Sequence, residues 1–187
     1  MVSSPATTSR VFFAILLVAV TVVVASAANV LLVNNCPFTV WPAATPPELG
    51  GGTQLNPGQT WQVPVPAGTS GARIWACIGC VFSGNCRRCM TGDCAGALRC
   101  EVSGMPPVTL AEFTVNKDAD DLDYYDVSVV DGYMDGFNLP MEFSSSTGGA
   151  EGPIMCRDPG CPNGSHGGAA KVRQCRGNSD YQVTFCP

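Results

Sequence analysis

Histidine is nearly absent: His166 is the only one among 187 residues. A Ser-His-Asp hydrolase would depend on it, yet it stands in a Gly-rich run with no second histidine to share a metal. Charge is sparse as well. Asp, Glu, Lys and Arg together make 13% of the chain, with a net charge of -5. That acidic balance argues against nucleic acid and anionic lipid as partners. Apolar stripes at helical spacing are missing beyond Cys36, which excludes a helical fold. No apolar run after the first is long enough to cross a bilayer. Internal repeats and a second domain boundary are also lacking.

What is present begins with the leader. MVSSPATTSR is followed by VFFAILLVAVTVVV and then ASAA, with Arg10 before the apolar run and small residues after it. This order predicts a secretory signal peptide over 1–27, cut before Ala28 or Asn29. A membrane anchor is the weaker reading, since the run falls short of the roughly 20 residues a spanning helix needs. A single domain over 28–187 is expected, secreted into an oxidising, extracellular space where cysteines pair by default.

Short β-branched and aromatic runs between turn formers predict strands. They are Val30–Val33, Phe38–Trp41 (stopped by Pro42), Trp61–Val63 and Arg73–Ala76. Pro64 and Pro66 place the third of these at a sheet edge, and Asn56-Pro57-Gly58 predicts a tight turn. Thr109–Val115 puts Ala111, Phe113 and Val115 on one face. Asp123–Val129 does the same with Tyr125, Val127 and Val129. The two segments predict an antiparallel hairpin. Ser144–Gly177 reads as loops, and Tyr181–Phe185 as a closing strand. The sum is an all-β fold, a β-sandwich.

Eleven cysteines are present, six of them between Cys77 and Cys100. The pairs Cys77-Ile-Gly-Cys80 and Cys86-Arg-Arg-Cys89 raise three readings: disulfide staples, a zinc site or a redox pair. A four-cysteine zinc site usually spaces its pairs by about 15–20 residues, far more than here. A redox pair would need a strand-to-helix setting, and none is visible. Staples are favoured, no metal or cofactor is expected, and the stretch should be a knot of short loops.

CMTGDCAGALRC, from Cys89 to Cys100, resembles the signature segment of thaumatin-like proteins, the pathogenesis-related group five. NNCPFTVWPA, LNPGQTW, ARIW, PPVTLAEFTVN, YYDVSVVDGYMDGFNLPMEFS and YQVTFCP are similar to the same family in the same order. The length is that of its small members, some of which, in cereals, inhibit fungal xylanases. The resemblance implies a flattened β-sandwich whose second domain is reduced to a loop-rich stub over 144–177. It also implies the bridges Cys36–Cys186, Cys80–Cys89, Cys94–Cys100 and Cys156–Cys161. Where the family has the partner of Cys175, this chain has Ala150, so Cys175 should be unpaired and could link two chains. Cys77 and Cys86 are additions to the family pattern, and a bridge between them is expected.

Glu112 is followed closely by Asp118, Asp120, Asp121, Asp123, Asp126, Asp131 and Asp135. Asp118 to Asp121 read as a solvated tip. In a hairpin symmetric about Ala119, Glu112 faces Asp126, a like-charge pair that needs a cation, a ligand or a proton between its members. The resemblance matches Arg73, Glu112, Asp126 and Asp131 to the family's cleft, left open here by the missing domain. It implies a non-enzymatic, antifungal plant defence protein secreted to the apoplast. Such a protein would bind fungal cell-wall polysaccharide (glucan) or another microbial target through this acidic face, and a monomer is expected. Alternatives are inhibition of a fungal secreted hydrolase, a xylanase, and a weak endo-β-1,3-glucanase using Glu112 and Asp131. Asn163-Gly164-Ser165 is a sequon for N-glycosylation.

Overall fold

A computed structural model describes residues 26–187 apart from 84–85, 119, 134–138 and 149–151. Residues 1–25 of the leader, Ala119, Asp135, Ala150 and the side chains of Ser26, Ala27 and Cys86 lie outside the described residues. Twelve strands are described: β1 (Ser26–Asn34), β2 (Val40–Thr45), β3 (Thr60–Pro66), β4 (Ala72–Ile78), β5 (Val81–Ser83), β6 (Cys86–Arg88), β7 (Leu110–Thr114), β8 (Leu122–Ser128), β9 (Met141–Ser145), β10 (Ile154–Cys156), β11 (Arg173–Arg176) and β12 (Tyr181–Phe185). Among the described residues helix is confined to one 3-10 turn, Pro47–Leu49, that tucks Leu49 inward.

The strands form two five-stranded sheets, ordered β10-β9-β12-β1-β3 and β11-β8-β7-β4-β2, and a separate β5-β6 ribbon. Period-two alternation explains the sandwich. Val30, Leu32, Val63, Val183 and Phe143 from the first sheet meet Ile74, Ala111, Phe113, Tyr125 and Val127 from the second in one buried core. Phe113, Tyr125, Phe143 and Tyr181 form its aromatic centre, with ring centroids 5.3–6.0 Å apart. β1 and β12 run parallel side by side, and Cys36–Cys186 clamps them. Cys80–Cys89, Cys94–Cys100 and Cys156–Cys161 complete the bridges that the resemblance implies.

Three expectations about secondary structure are corrected. Pro42 does not stop its strand: β2 runs through it to Thr45, because β2 ends the sheet and its outer side meets only the 51–55 segment, where Gly52 N–H donates to the Pro42 carbonyl and no N–H of Pro42 is needed. The segment 144–177 is not all loop, for β10 and β11 are short strands that extend one edge of each sheet. The cysteine-rich stretch likewise holds the β5-β6 ribbon, in which Val81 pairs with Arg88 and Phe82 with Arg87.

The remainder of that stretch covers the outer face of β4, where Trp75, Cys77, Cys94, Cys100, Val108 and Leu110 make a second core. Gly104 packs flat on the indole, since a Cβ there would lie 2.4 Å from Trp75 Nε1. The expected Cys77–Cys86 bridge is not formed. Cys77 is a free thiol, buried beside Trp75 because residues two apart on a strand share a face. Its Sγ donates to the Gly92 carbonyl at 3.0 Å, and burial pushes its pKa up to about 12.

Candidate functional site

Three adjacent strands place the acidic row. β4 and β7 pair so that Arg73 stands opposite Glu112, and β7 and β8 pair so that Glu112 stands opposite Asp126. The three side chains therefore form a line across the strands on the outer face of the second sheet. Its core face at neighbouring positions is taken by Ile74, Phe113 and Tyr125. Arg73 Nε donates to Glu112 Oε1 at 2.8 Å, with the two side chains 45% and 27% exposed. A half-exposed pair of this kind adds little stability. Its effect is to fix the direction of a carboxylate and of a guanidinium whose terminal nitrogens remain available.

Asp126 is set deeper, at 8% exposure. Burial raises its pKa, a hydrogen bond with the Ser165 side chain works against that, and the neighbouring Glu112 charge raises it further. Ser165 is held from both sides. Its N–H donates to the Val127 carbonyl, its carbonyl accepts from Val129 N–H, and its Oγ accepts from Lys171 N–H at 2.8 Å. The line thus runs from an exposed cation through a half-exposed carboxylate to a sheltered one capped by a hydroxyl. Relieved by Arg73 at one end and Ser165 at the other, the like-charge pair of Glu112 and Asp126 is tolerated.

Asp131 stands apart. It occupies an exposed turn after β8, where its carbonyl accepts from Val108 N–H at 2.7 Å. Among the described residues no side-chain contact joins it to Glu112 or Asp126. Asn163 is exposed, whereas the Ser165 of its sequon is buried. His166 Nε2 lies 2.9 Å from the Cys161 carbonyl, so its ring is tied into the loop. No group of three or more His, Cys, Asp or Glu side chains among the described residues is arranged to hold a metal ion. No helix among them is long and apolar enough to cross a membrane.

Sequence reasoning missed two participants. Ser165 carried no signal beyond the sequon. Asp123 did carry one: it shares parity with Tyr125 and Val127 and so points into the core, where it is fully buried. Its Oδ1 accepts from Asn116 N–H and its Oδ2 from Tyr181 OH, both at 2.9 Å. Tyr181 OH also lies 3.3 Å from the sulfur of Cys175, a free, buried thiol on β11. Burial first, then these neighbours, raise the Tyr181 pKa. Cys175 is therefore turned inward, and a bridge from it to a second chain would require β11 to lift off the sheet.

A separate cleft of about 430 Å³ opens on the outer face of the first sheet, lined by Asn29, Leu31, Gln62, Ser144, Asp180 and Gln182 among others. It lies on the opposite side of the sandwich from the acidic row and shares no residue with it.

The model of the Thaumatin family matches residues 34–170. A thaumatin-like protein of Oryza sativa subsp. japonica is 50% identical, with 99% of each chain covered. Thaumatin-like pathogenesis-related protein 4 of Avena sativa is 52% identical, covering 97% of this chain and 99% of its own. Among solved structures, the thaumatin-like xylanase inhibitor TLXI superposes with a TM-score of 0.67 at 32% identity, over 84% of this chain and 99% of that one. The protein elicitor MoHrip2 of Magnaporthe oryzae, at 18% identity and a TM-score of 0.54, shares the fold alone.

Proposed function

The chain belongs to the thaumatin family, and on that premise we propose that it is a secreted defence protein that acts by binding fungal wall β-glucan through the Arg73–Glu112–Asp126 row. The apolar leader, the four disulfides and the pathogenesis-related names of similar cereal proteins support export and a defence role. The observation that carries the binding reading is the fixed Arg73–Glu112 pair on an open sheet face. A carboxylate acceptor beside guanidinium donors matches the vicinal hydroxyls of a sugar ring. The pair is oriented before the ligand arrives, which lowers the ordering cost of binding.

The same geometry argues against hydrolysis. A glycosidase flanks the scissile bond with two carboxyl groups on opposite sides of the substrate. Glu112 and Asp126 are cross-strand neighbours on one face of the sheet, so both stand on the same side of any substrate laid across it. Asp131, the other candidate base, is exposed on the turn after β8 and makes no side-chain hydrogen bond or ion pair with Glu112 among the described residues. Sedimentation with insoluble β-1,3-glucan tests the reading: the wild type should co-sediment, and Glu112→Gln with Arg73→Ala should stay in solution. Equal sedimentation of both proteins would remove the row as the binding site.

A second reading, inhibition of a fungal xylanase, is favoured by the likeness to TLXI. Titration of the protein against fungal xylanases tests it independently of glucan binding.

A further inference from the structure

The cleft on the first sheet is built from two adjacent rows of outward side chains. β1 pairs with β3 and β12, and β12 pairs with β9. Their registers align Ser144, Gln182, Leu31 and Gln62 straight across four strands, a line of about 14 Å at the usual strand spacing. Residues two apart on a strand share a face, so Ser146, Asp180 and Asn29 form a second row beside the first. This second row is fastened. Asp180 Oδ1 accepts from Asn29 N–H at 2.8 Å and from Asn29 Nδ2 at 3.2 Å, and Asp180 N–H donates to Ser146 Oγ at 3.1 Å.

The first row is left with open hydrogen-bonding capacity. Gln182 Nε2 donates to Thr184 Oγ1 at 3.1 Å, which leaves its Oε1 without a partner among the described residues. The side chains of Gln62 and Ser144 make no hydrogen bond among them either. Leu31, 36% exposed, lies between the two glutamines. These residues exclude most ligand classes. No Lys, Arg or His is among the lining residues described, so a phosphate, sulfate or uronate would lose its hydration for no paired charge. An apolar ligand would cover two amides and a hydroxyl and leave them unsatisfied. A cation would meet Asp180 alone, with one oxygen already taken by Asn29. What fits is a neutral ligand rich in hydroxyls, with a C–H face to lay on Leu31.

We infer that this cleft is a second carbohydrate site, for a neutral β-1,4-linked glycan. Its volume of about 430 Å³ is that of an ordinary small-ligand site. A β-1,4-linked chain extends as a flat ribbon, so it can follow a straight row across four strands and turn its hydroxyls to Gln62, Gln182 and Ser144. A β-1,3-linked chain curves away from such a row. The acidic row makes no such demand, because it grips one ring through one fixed ion pair. Amides that both donate and accept suit hydroxyls, which do the same. The bracket of Asn29, Asp180 and Ser146 is set before the ligand arrives, which lowers the ordering cost of binding. The two sites share no residue and lie on opposite faces, so either can fail without the other.

The test is an NMR titration of the 15N-labelled, disulfide-intact protein with cellohexaose, xylohexaose and chitohexaose, and with β-1,4-linked hexamannuronate as the anionic control. Wild type, Gln62→Ala with Gln182→Ala, and Glu112→Gln are compared, each checked for an unchanged near-UV circular dichroism spectrum. Shifts at 29–31, 62, 144–146 and 180–182 are expected with at least one neutral hexaose, and the tightest of the three names the polymer. The alanine pair should raise Kd by about 10-fold or more, for two lost hydrogen bonds, and Glu112→Gln should leave it alone. Absence of these shifts with all three neutral sugars would overturn the site. So would an unchanged Kd in the alanine pair, or shifts that move instead to 72–74, 111–113 and 125–127. Equal binding of hexamannuronate or of laminarihexaose in this cleft would overturn the ligand assigned to it.

Discussion

Replacing Tyr181 by Phe removes one hydroxyl from the centre of the sandwich and leaves nearly everything else in place. The ring still lies 5.7 Å from Phe113 and from Phe143 and 5.9 Å from Tyr125, so the aromatic packing survives. What goes is the O–H donor to Asp123 Oδ2, on a carboxyl group with no exposed surface, which keeps only the Asn116 N–H on its other oxygen. A hydrogen bond to a charged group contributes about 1.5–3 kcal/mol, and a buried oxygen left unsatisfied cannot recover that from water. The expected loss is therefore about 2 kcal/mol, which for a chain of this size lowers Tm by roughly 4–8 °C. Differential scanning calorimetry at pH 7 with the disulfides intact reads it. A double-mutant cycle with Asp123→Asn isolates the pair, and a coupling of at least about 1 kcal/mol is expected. A Tm within about 1 °C of the wild type would refute the reasoning, because the Tyr181–Asp123 hydrogen bond would then contribute no net stability.

Other expectations follow from the same structure. Asp126 has a pKa raised above its unfolded value of 3.8, so the wild type loses stability as pH climbs from about that value through the folded pKa. Asp126→Asn should match the wild type near pH 3 and exceed it at pH 7, the gap widening by up to about 1.4 kcal/mol per pH unit inside the window. Thermal melts from pH 3 to 7 check this, and parallel curves would contradict it. Cys36→Ser with Cys186→Ser opens a bridge spanning 150 residues of sequence, with an expected cost of about 4–5 kcal/mol in denaturant titration. Cys77, whose pKa is pushed up to about 12 by burial, and the buried Cys175 should resist Ellman's reagent at pH 8 in the native protein and react once it is unfolded.

The sandwich was legible because period-two alternation at Ala111, Phe113 and Val115 and at Tyr125, Val127 and Val129 needs only local sequence. The facing of Glu112 and Asp126 was legible because hairpin symmetry fixes the register. Arg73 entered by resemblance, and its place opposite Glu112 depends on a β4–β7 pairing of partners 39 positions apart, which no local pattern encodes. β10 and β11 were missed because three or four residues are too short to show a period, and pairing at sheet edges creates them. The Cys77–Cys86 bridge failed for a related reason. Closeness in sequence says nothing about face, and Cys77 shares its face with Trp75. Asp123 was passed over as one more member of an acidic run, although its parity with Tyr125 marked it as inward.

The central claim is that the Arg73–Glu112–Asp126 row binds β-1,3-glucan without cleaving it. An NMR titration of the 15N-labelled protein with laminarihexaose tests this most directly. Amide shifts are expected at residues 72–74, 111–113 and 125–127, with no new reducing-end anomeric signals over time. Shifts confined to 29–31 and 180–182, in the opposite cleft, or the appearance of shorter oligosaccharides, would contradict it.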